Sequence, residues 1–314
     1  ALVANGQNLA SGRLSMQGAS VDLSHSQTGA DTINVTALTG QLNTASATVV
    51  GTQNLALTAN QGTAQNLDNT GGALSAQNLS VDIGGTLLNG QGTLYAQGPM
   101  HIHAATLNND GGQIKAVSDL TVVASDSITN RSGKLYAGND LSLGSPSLDN
   151  TSGSIGSGRD LGIQTTSWRN ASTGTAYGTV SAGRDLNMAT TGDQNINTAA
   201  FAANRHLTFA TTGQMNVSST LQASGDMNLN AAQLSNSGKI LAGATLAITA
   251  TSDAGSITNS GDMVGASVVL KAPVSITNTG PNAFVGASDA GGKLVLLSRS
   301  ITNADEVTNT DTLP

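Results

Sequence analysis

The sequence predicts an all-β protein, a parallel β-helix (β-solenoid) with about 20–21 residues per coil, and three observations carry that prediction. A unit of apolar-x-Asn, Gly, apolar-x-Ala, polar turn and apolar-x-apolar recurs along the chain. Within each unit the apolar residues alternate with polar ones at period two, the signature of half-buried strands, and not at the spacings of three and four that a helix needs. The 314 residues include 38 Gly, with 2% aromatic, 38% hydrophobic and 10% charged side chains, which suits many turns around a thin aliphatic core and does not suit one thick spherical core.

The first regular unit reads Leu67, Asn69, Gly72, Leu74, Ala76, Leu79, Val81. It is repeated in the units of Asn89, Asn109, Asn130 and Asn150, successive asparagines lying 20 or 21 residues apart. The pattern returns at Leu234/Asn236/Gly238 and Ile257/Asn259/Gly261, and more loosely at Ile276/Asn278 and Ile301/Asn303. Each apolar run is followed by Gly, Asn, Asp or Ser, so a unit holds three short strands of about three to five residues and three corners. Leucine-rich and helical repeats have similar periods but need a helix or a broader leucine frame that these units lack. At a strand separation of about 4.8 Å, the chain would form roughly 15 coils over roughly 70 Å.

One coil buries about five aliphatic side chains, worth roughly 1.5–3 kcal/mol each, whereas ordering about 20 residues costs roughly 1–2 kcal/mol apiece. A lone coil therefore does not fold, and stacking on neighbours supplies the deficit. The expected organisation is one continuous solenoid. Residues 1–66 form irregular coils and 67–163 regular repeats; 164–233 form irregular coils with a corner insertion, and 234–314 repeats with a loop excursion near 280–292.

A formal charge of −7 and a pI near 4.8, without a basic run, argue against a nucleic-acid partner. No apolar stretch approaches the roughly 20 residues of a membrane helix, so no membrane span is expected. The absence of cysteine excludes disulfides and thiolate metal sites.

In Leu107-Asn108-Asn109 the alternation turns Asn109 to the same side as Leu107, hence inward. A buried amide must be hydrogen-bonded, and Asn69, Asn89, Asn109, Asn130, Asn150 and Asn170 would satisfy one another as a structural column from coil to coil. The Gly that follows by two or three residues suits a corner with positive φ.

The stretches LDNTGGALSAQNLSV, LNNDGGQIKAVSDLTV and ITNRSGKLYAGNDLSL resemble the filamentous haemagglutinin repeat of bacterial exoproteins of two-partner secretion, over about residues 67–303. The resemblance implies a right-handed β-helix that is secreted to the bacterial cell surface. Its partners would be an outer-membrane two-partner secretion transporter during export and a target-cell receptor protein or surface glycan afterwards. It would be the shaft of an adhesin or of a contact-dependent growth-inhibition effector. The family's Asn-Pro-Asn-Gly and Val-Glu-Asn-Asn landmarks are missing, which makes an internal fragment the expectation.

No catalytic, cofactor or metal site is expected. Asn78, Asp119, Asp140, Asp160, Asp185, His206 and Asp226 share one turn position and would form a column, but they are spread one per coil, beside Arg159, Arg184 and Arg205. Calcium needs six to eight converging oxygens, and polysaccharide-degrading enzymes on this fold need carboxylates gathered in a cleft. Asp22 and Asp31 could meet across coils, but no Arg or Lys nearby completes a constellation, and Glu306 is the only glutamate. His101 and His103 alternate with Met100 and Ile102 and should face outward without a third ligand.

Contact with a partner or glycan is better placed at Tyr95, Lys115 and Tyr136, which occupy one outward position in successive units. Asn170 and Val180 are ten residues apart where Asn150 and Ile155 are five, which implies an inserted corner bearing Tyr177 close to Trp168. Phe284 in the later excursion is a second such candidate. The expected function is a non-enzymatic shaft that presents or contributes to receptor binding; the alternatives are a segment that itself binds a receptor or glycan, and a polysaccharide-degrading enzyme.

Overall fold

Alternating apolar residues dictate strands that bury one side, and the short polar and glycine-rich breaks between them turn the chain. In the computed structural model, which describes residues 1–62, 65–170, 172–173, 176–197 and 201–304, these strands stack as a parallel β-solenoid of about 14 turns, about 21 residues per coil. No helix occurs among the described residues. Two compact units are distinguished, Ala1–Thr179 and Val180–Pro314.

In the first unit equivalent residues of successive coils lie side by side: Leu87 beside Leu67 and Leu107, Ile114 beside Leu94 and Leu135, and Leu120 beside Met100 and Leu141. All these side chains are buried, so the core is a set of aliphatic ladders. Each buried Leu or Ile contributes about 1.5–3 kcal/mol.

The strands here are longer than the three to five residues expected from the breaks. Met100–Asn108, Leu120–Thr129 and Leu141–Asp149 each span what the sequence pattern divides in two. The ladder runs through the corner because neighbouring coils bend together, and surplus residues are absorbed as bulges, with register shifts at Ala104/Thr106 and Val123/Ser127. One such bulge accounts for the uneven period: Val123 pairs with His103 at a spacing of 20, Ile128 with Leu107 at 21.

The corner after each inward asparagine is a tight turn closed by Gly112 N–H to Asn109 O at 3.0 Å, and likewise in neighbouring coils. Positive φ falls two residues after the asparagine, at Gly71, Gln91, Gly111, Ser132 and Ser152. The recurrent glycine at the third position, expected to serve that conformation, meets a different need. A Cβ on Gly112 would stand 2.7 Å from Asn109 Oδ1 and closer still to the Asn89 carbonyl oxygen, so this corner cannot settle against the coil before it if a side chain is present.

Between Asn170 and Gly178, Ser172–Thr173 pairs antiparallel with Ala176–Tyr177.

In the second unit the three faces separate. Phe201–Ala203, Thr220–Ala223, Lys239–Ala242, Asp262–Gly265 and Phe284–Ala287 stack on one, and Leu186–Thr190 through Leu294–Leu297 on another. The third face is a six-stranded sheet from Gln194–Ile196 to Ser300–Ala304. Where the sequence pattern is least regular, Phe201 and Phe209 fill the interior with ring centroids 6.1 Å apart and planes inclined by 38°.

Candidate interaction surface

The inward asparagines form a continuous ladder. Nδ2 of Asn69, Asn89, Asn109 and Asn130 donates to Oδ1 of the next asparagine at 2.7 Å, and Asn150 Nδ2 donates to Asn170 Oδ1 at 2.8 Å. All six side chains are buried. Each amide also reaches a backbone carbonyl beside it: Asn109 Nδ2 lies 3.3 Å from Gly112 O and 3.2 Å from Lys134 O. At its start the ladder is closed by the Thr44 hydroxyl, which donates to Asn69 Oδ1 at 2.9 Å. At its end Asn170 Nδ2 donates to Gly178 O at 3.2 Å. The ladder is internal, so it holds coils together and offers nothing to a ligand.

A second ladder joins Asn236, Asn259, Asn278 and Asn303, each step 2.7 Å. Its members stand out in the repeat, but the sequence reading did not single them out as a column. The equivalent slot in the two preceding coils holds buried Ile196 and Val217. An amide there would lack a side-chain partner on one side, and an apolar pair avoids that cost.

The turn column of acidic residues is used within the fold. Asp119 Oδ1 accepts the Asp140 N–H at 3.2 Å, and Asp140 Oδ1 accepts that of Asp160 at 3.1 Å. In the second unit Asp185 Oδ1 accepts the His206 N–H, His206 Nδ1 accepts the Asp226 N–H, and Asp226 Oδ1 accepts the Thr245 N–H. Two of the arginines reach back one coil: Arg159 clasps Asp140 with Nε at 3.0 Å and Nη2 at 2.6 Å, and Arg205 clasps Asp185 in the same way. The Arg205 guanidinium, helped by the His206 N–H, holds the Asp185 carboxyl down at about 2. Burial raises the Asp149 carboxyl, but bonds from Thr151 and the Arg131 guanidinium outweigh it and leave it below the usual carboxylate range. The Ser24 N–H lowers Asp22 in the same manner.

The remaining described candidates are engaged separately. Asp22 accepts the Ser24 N–H within its own turn while Asp31, inside a strand, accepts the Thr52 hydroxyl of the next coil. His101 and His103 are exposed, and His103 Nδ1 lies 3.0 Å from Asp82 Oδ1. No group of three or more His, Cys, Asp or Glu side chains is arranged for a metal among the described residues. Glu306 lies outside them.

In the first unit Ser75, Tyr95, Lys115, Tyr136 and Gly156 follow one another in register across five coils, the last of them buried. Tyr95 and Lys115 are half-buried and Tyr136 is 41% exposed. Lys115 Nζ stands 6.0 Å from the centre of the Tyr136 ring, within reach of a cation–π contact. Lys134, which the sequence reading did not single out, is exposed in the same strand as Tyr136 and pairs with Gln113. Its signal was the two-residue spacing to Tyr136, which places both on one face. Trp168 occupies the slot beside Leu148 and is half-buried. The side chain of Tyr177 lies outside the described residues. Phe284 belongs to the second unit, beside Asp262, is 53% exposed, and covers Gly286.

Comparison with known families matches the Haemagglutinin repeat to residues 64–132, 119–177 and 167–312. Among curated proteins, Toxin CdiA of Yersinia pestis is 35% identical over 142 residues, which is 45% of this chain and 4% of that protein's length. No solved structure matches.

Proposed function

The chain belongs to the haemagglutinin-repeat family, and from that premise we propose that it is a length of the shaft of a secreted bacterial exoprotein, of the adhesin or contact-dependent growth-inhibition kind. The shaft reaches the cell surface through an outer-membrane two-partner secretion transporter and carries, or contributes to, recognition of a target cell. The reading assigns no catalysis to this segment.

The observation that carries the proposal is how the polar side chains are used. Asparagine amides run from coil to coil inside, and turn carboxylates are bonded to the next coil's backbone outside. Such a chain can be lengthened or shortened by whole coils, because each coil depends only on its neighbours. A scaffold of this kind serves reach and presentation.

Removing residues 141–160 from the parent exoprotein tests this. The deletion excises one coil and joins Asp140 to Leu161, which repeats the junction of Asp140 with Leu141. Export and target-cell attachment should persist. A folded, exported deletion protein that no longer attaches would make this segment itself the receptor-binding part.

A further inference from the structure

We propose that the column of Tyr95, Lys115 and Tyr136, with Lys134 beside it, is a track for a linear, carboxylate-bearing polysaccharide lying along the direction of coil stacking. This goes beyond the shaft reading and stands or falls separately from it.

Four features point to that ligand. The first is spacing. Side chains in register on adjacent coils of a parallel ladder advance by about 4.8 Å, close to the advance of one sugar ring in an extended β-linked glycan. Tyr95, Lys115 and Tyr136 therefore meet successive rings of one polymer.

The second is free charge. Among the described residues neither Lys115 nor Lys134 has a carboxylate within the 4.0 Å that defines an ion pair, whereas Arg131 and Arg159 of the same unit each do. Two unneutralised ammonium groups on adjacent strands of one face are complementary to a polymer with repeating carboxylates.

The third is the pairing of that charge with aromatic surface. The Lys115 ammonium is held at 6.0 Å from the Tyr136 ring centre, so a flat apolar face and a cation are presented together. Sugar rings offer the same combination in reverse, C–H faces that stack on aromatic rings and carboxylates that bond to ammonium groups.

The fourth is the small size of the column's neighbours in register, the half-buried Ser75 at one end and the buried Gly156 at the other. The adjoining outward column holds Thr93, Gln113 and Lys134, which can hydrogen-bond sugar hydroxyls. A contiguous apolar patch of the kind that marks a protein interface is missing from these positions.

The intact chain should be titrated calorimetrically with hyaluronan octasaccharide and with cellohexaose, a neutral β-linked polymer. Hyaluronan should bind, more tightly than cellohexaose by about tenfold, and its affinity should fall with added salt. Tyr136→Ser and Lys115→Gln should each weaken it by about tenfold with melting temperature little changed, since both act on the outer face. Lys271→Gln, an exposed cation of the second unit, should leave it intact. Absence of saturable hyaluronan binding, equal affinity in all variants, or equal loss in Lys271→Gln overturns the proposal. So does a target-cell protein whose binding is lost in Tyr136→Ser while hyaluronan binding persists.

Discussion

Asn109 and Asn130, 21 residues apart in sequence and both fully buried, are joined by a single side-chain hydrogen bond of 2.7 Å from Nδ2 to Oδ1. That bond is one rung of a ladder that passes through the interior of the first unit. It shows why the repeat keeps a polar residue among aliphatic ones: each amide is a donor to one neighbour and an acceptor from the other.

Replacing Asn109 with alanine removes the acceptor of Asn89 and the donor to Asn130 together. Chemical denaturation should report a loss of about 1–3 kcal/mol, the range for stranding a buried polar group. A second replacement at Asn130 should cost less than it does alone, because the rung between the two is already gone. Additive losses would mean that the amides do not act through one another.

The recurrent corner glycine predicts a contrast within one turn type. Gly112→Ala forces a Cβ against the Asn89 carbonyl and Asn109 Oδ1 and should destabilise by about 1–3 kcal/mol. At Gly90, where a Cβ would meet nothing nearer than Asp110 O at 3.8 Å, the same change should stay within about 0.5 kcal/mol. Equal effects in denaturant melts would contradict the close-approach account.

Leu141 is buried between Leu120 and Leu161 in one aliphatic ladder. Leu141→Asp puts an unpaired charge there and should cost about 3–5 kcal/mol or abolish folding, whereas Ser142→Asp, one residue away and exposed, should melt nearly as the parent does. An unchanged melt for Leu141→Asp would reverse the inward assignment of the whole strand.

Asp185 gives a pH dependence with a definite sign. Its folded pKa is held at about 2, below the ordinary 3.8, chiefly by the Arg205 guanidinium. The contribution is therefore complete above 3.8 and is lost as the pH falls towards about 2. Unfolding free energy measured across that window should fall less steeply with acid in Asp185→Asn than in the parent. Parallel curves would show that the pair does not couple folding to protons.

Much of this architecture is legible in the sequence because side-chain period and coil period are both carried by residue type. The alternation fixes which side Leu107 and Asn109 share, and the near-constant spacing of the asparagines fixes which residues become neighbours. Strand length was not legible. A break such as Ala124–Asp126 looks like an end in one dimension, yet the neighbouring coil supplies hydrogen bonds on both sides of it. The purpose of Gly112 was hidden for the same reason, since the atoms that exclude a Cβ belong partly to the coil before. Thr44 as the cap of the amide ladder carries no repeat signature, and the register of Phe201 and Phe209 became assignable only when the coils were stacked. Of the candidate surface, the sequence placed Tyr95, Lys115 and Tyr136 in one column but said nothing of which cations nearby are neutralised, which depends on Asp110, Asp140 and Asp149 reaching across coils.

The account rests on equivalent residues of successive coils lying side by side in parallel register, and one cross-link tests it in a chain that has no cysteine of its own. Thr121 and Ser142 are register partners on the outer side of adjacent coils. Their Cα atoms, about 4.8 Å apart in a parallel ladder, are within disulfide range. Thr121→Cys with Ser142→Cys should oxidise to an intramolecular disulfide, while Thr121→Cys with Gly144→Cys, two residues out of register, should not. Cross-linking of the second pair in preference to the first, or of neither within one molecule, would contradict the stacked-coil structure itself.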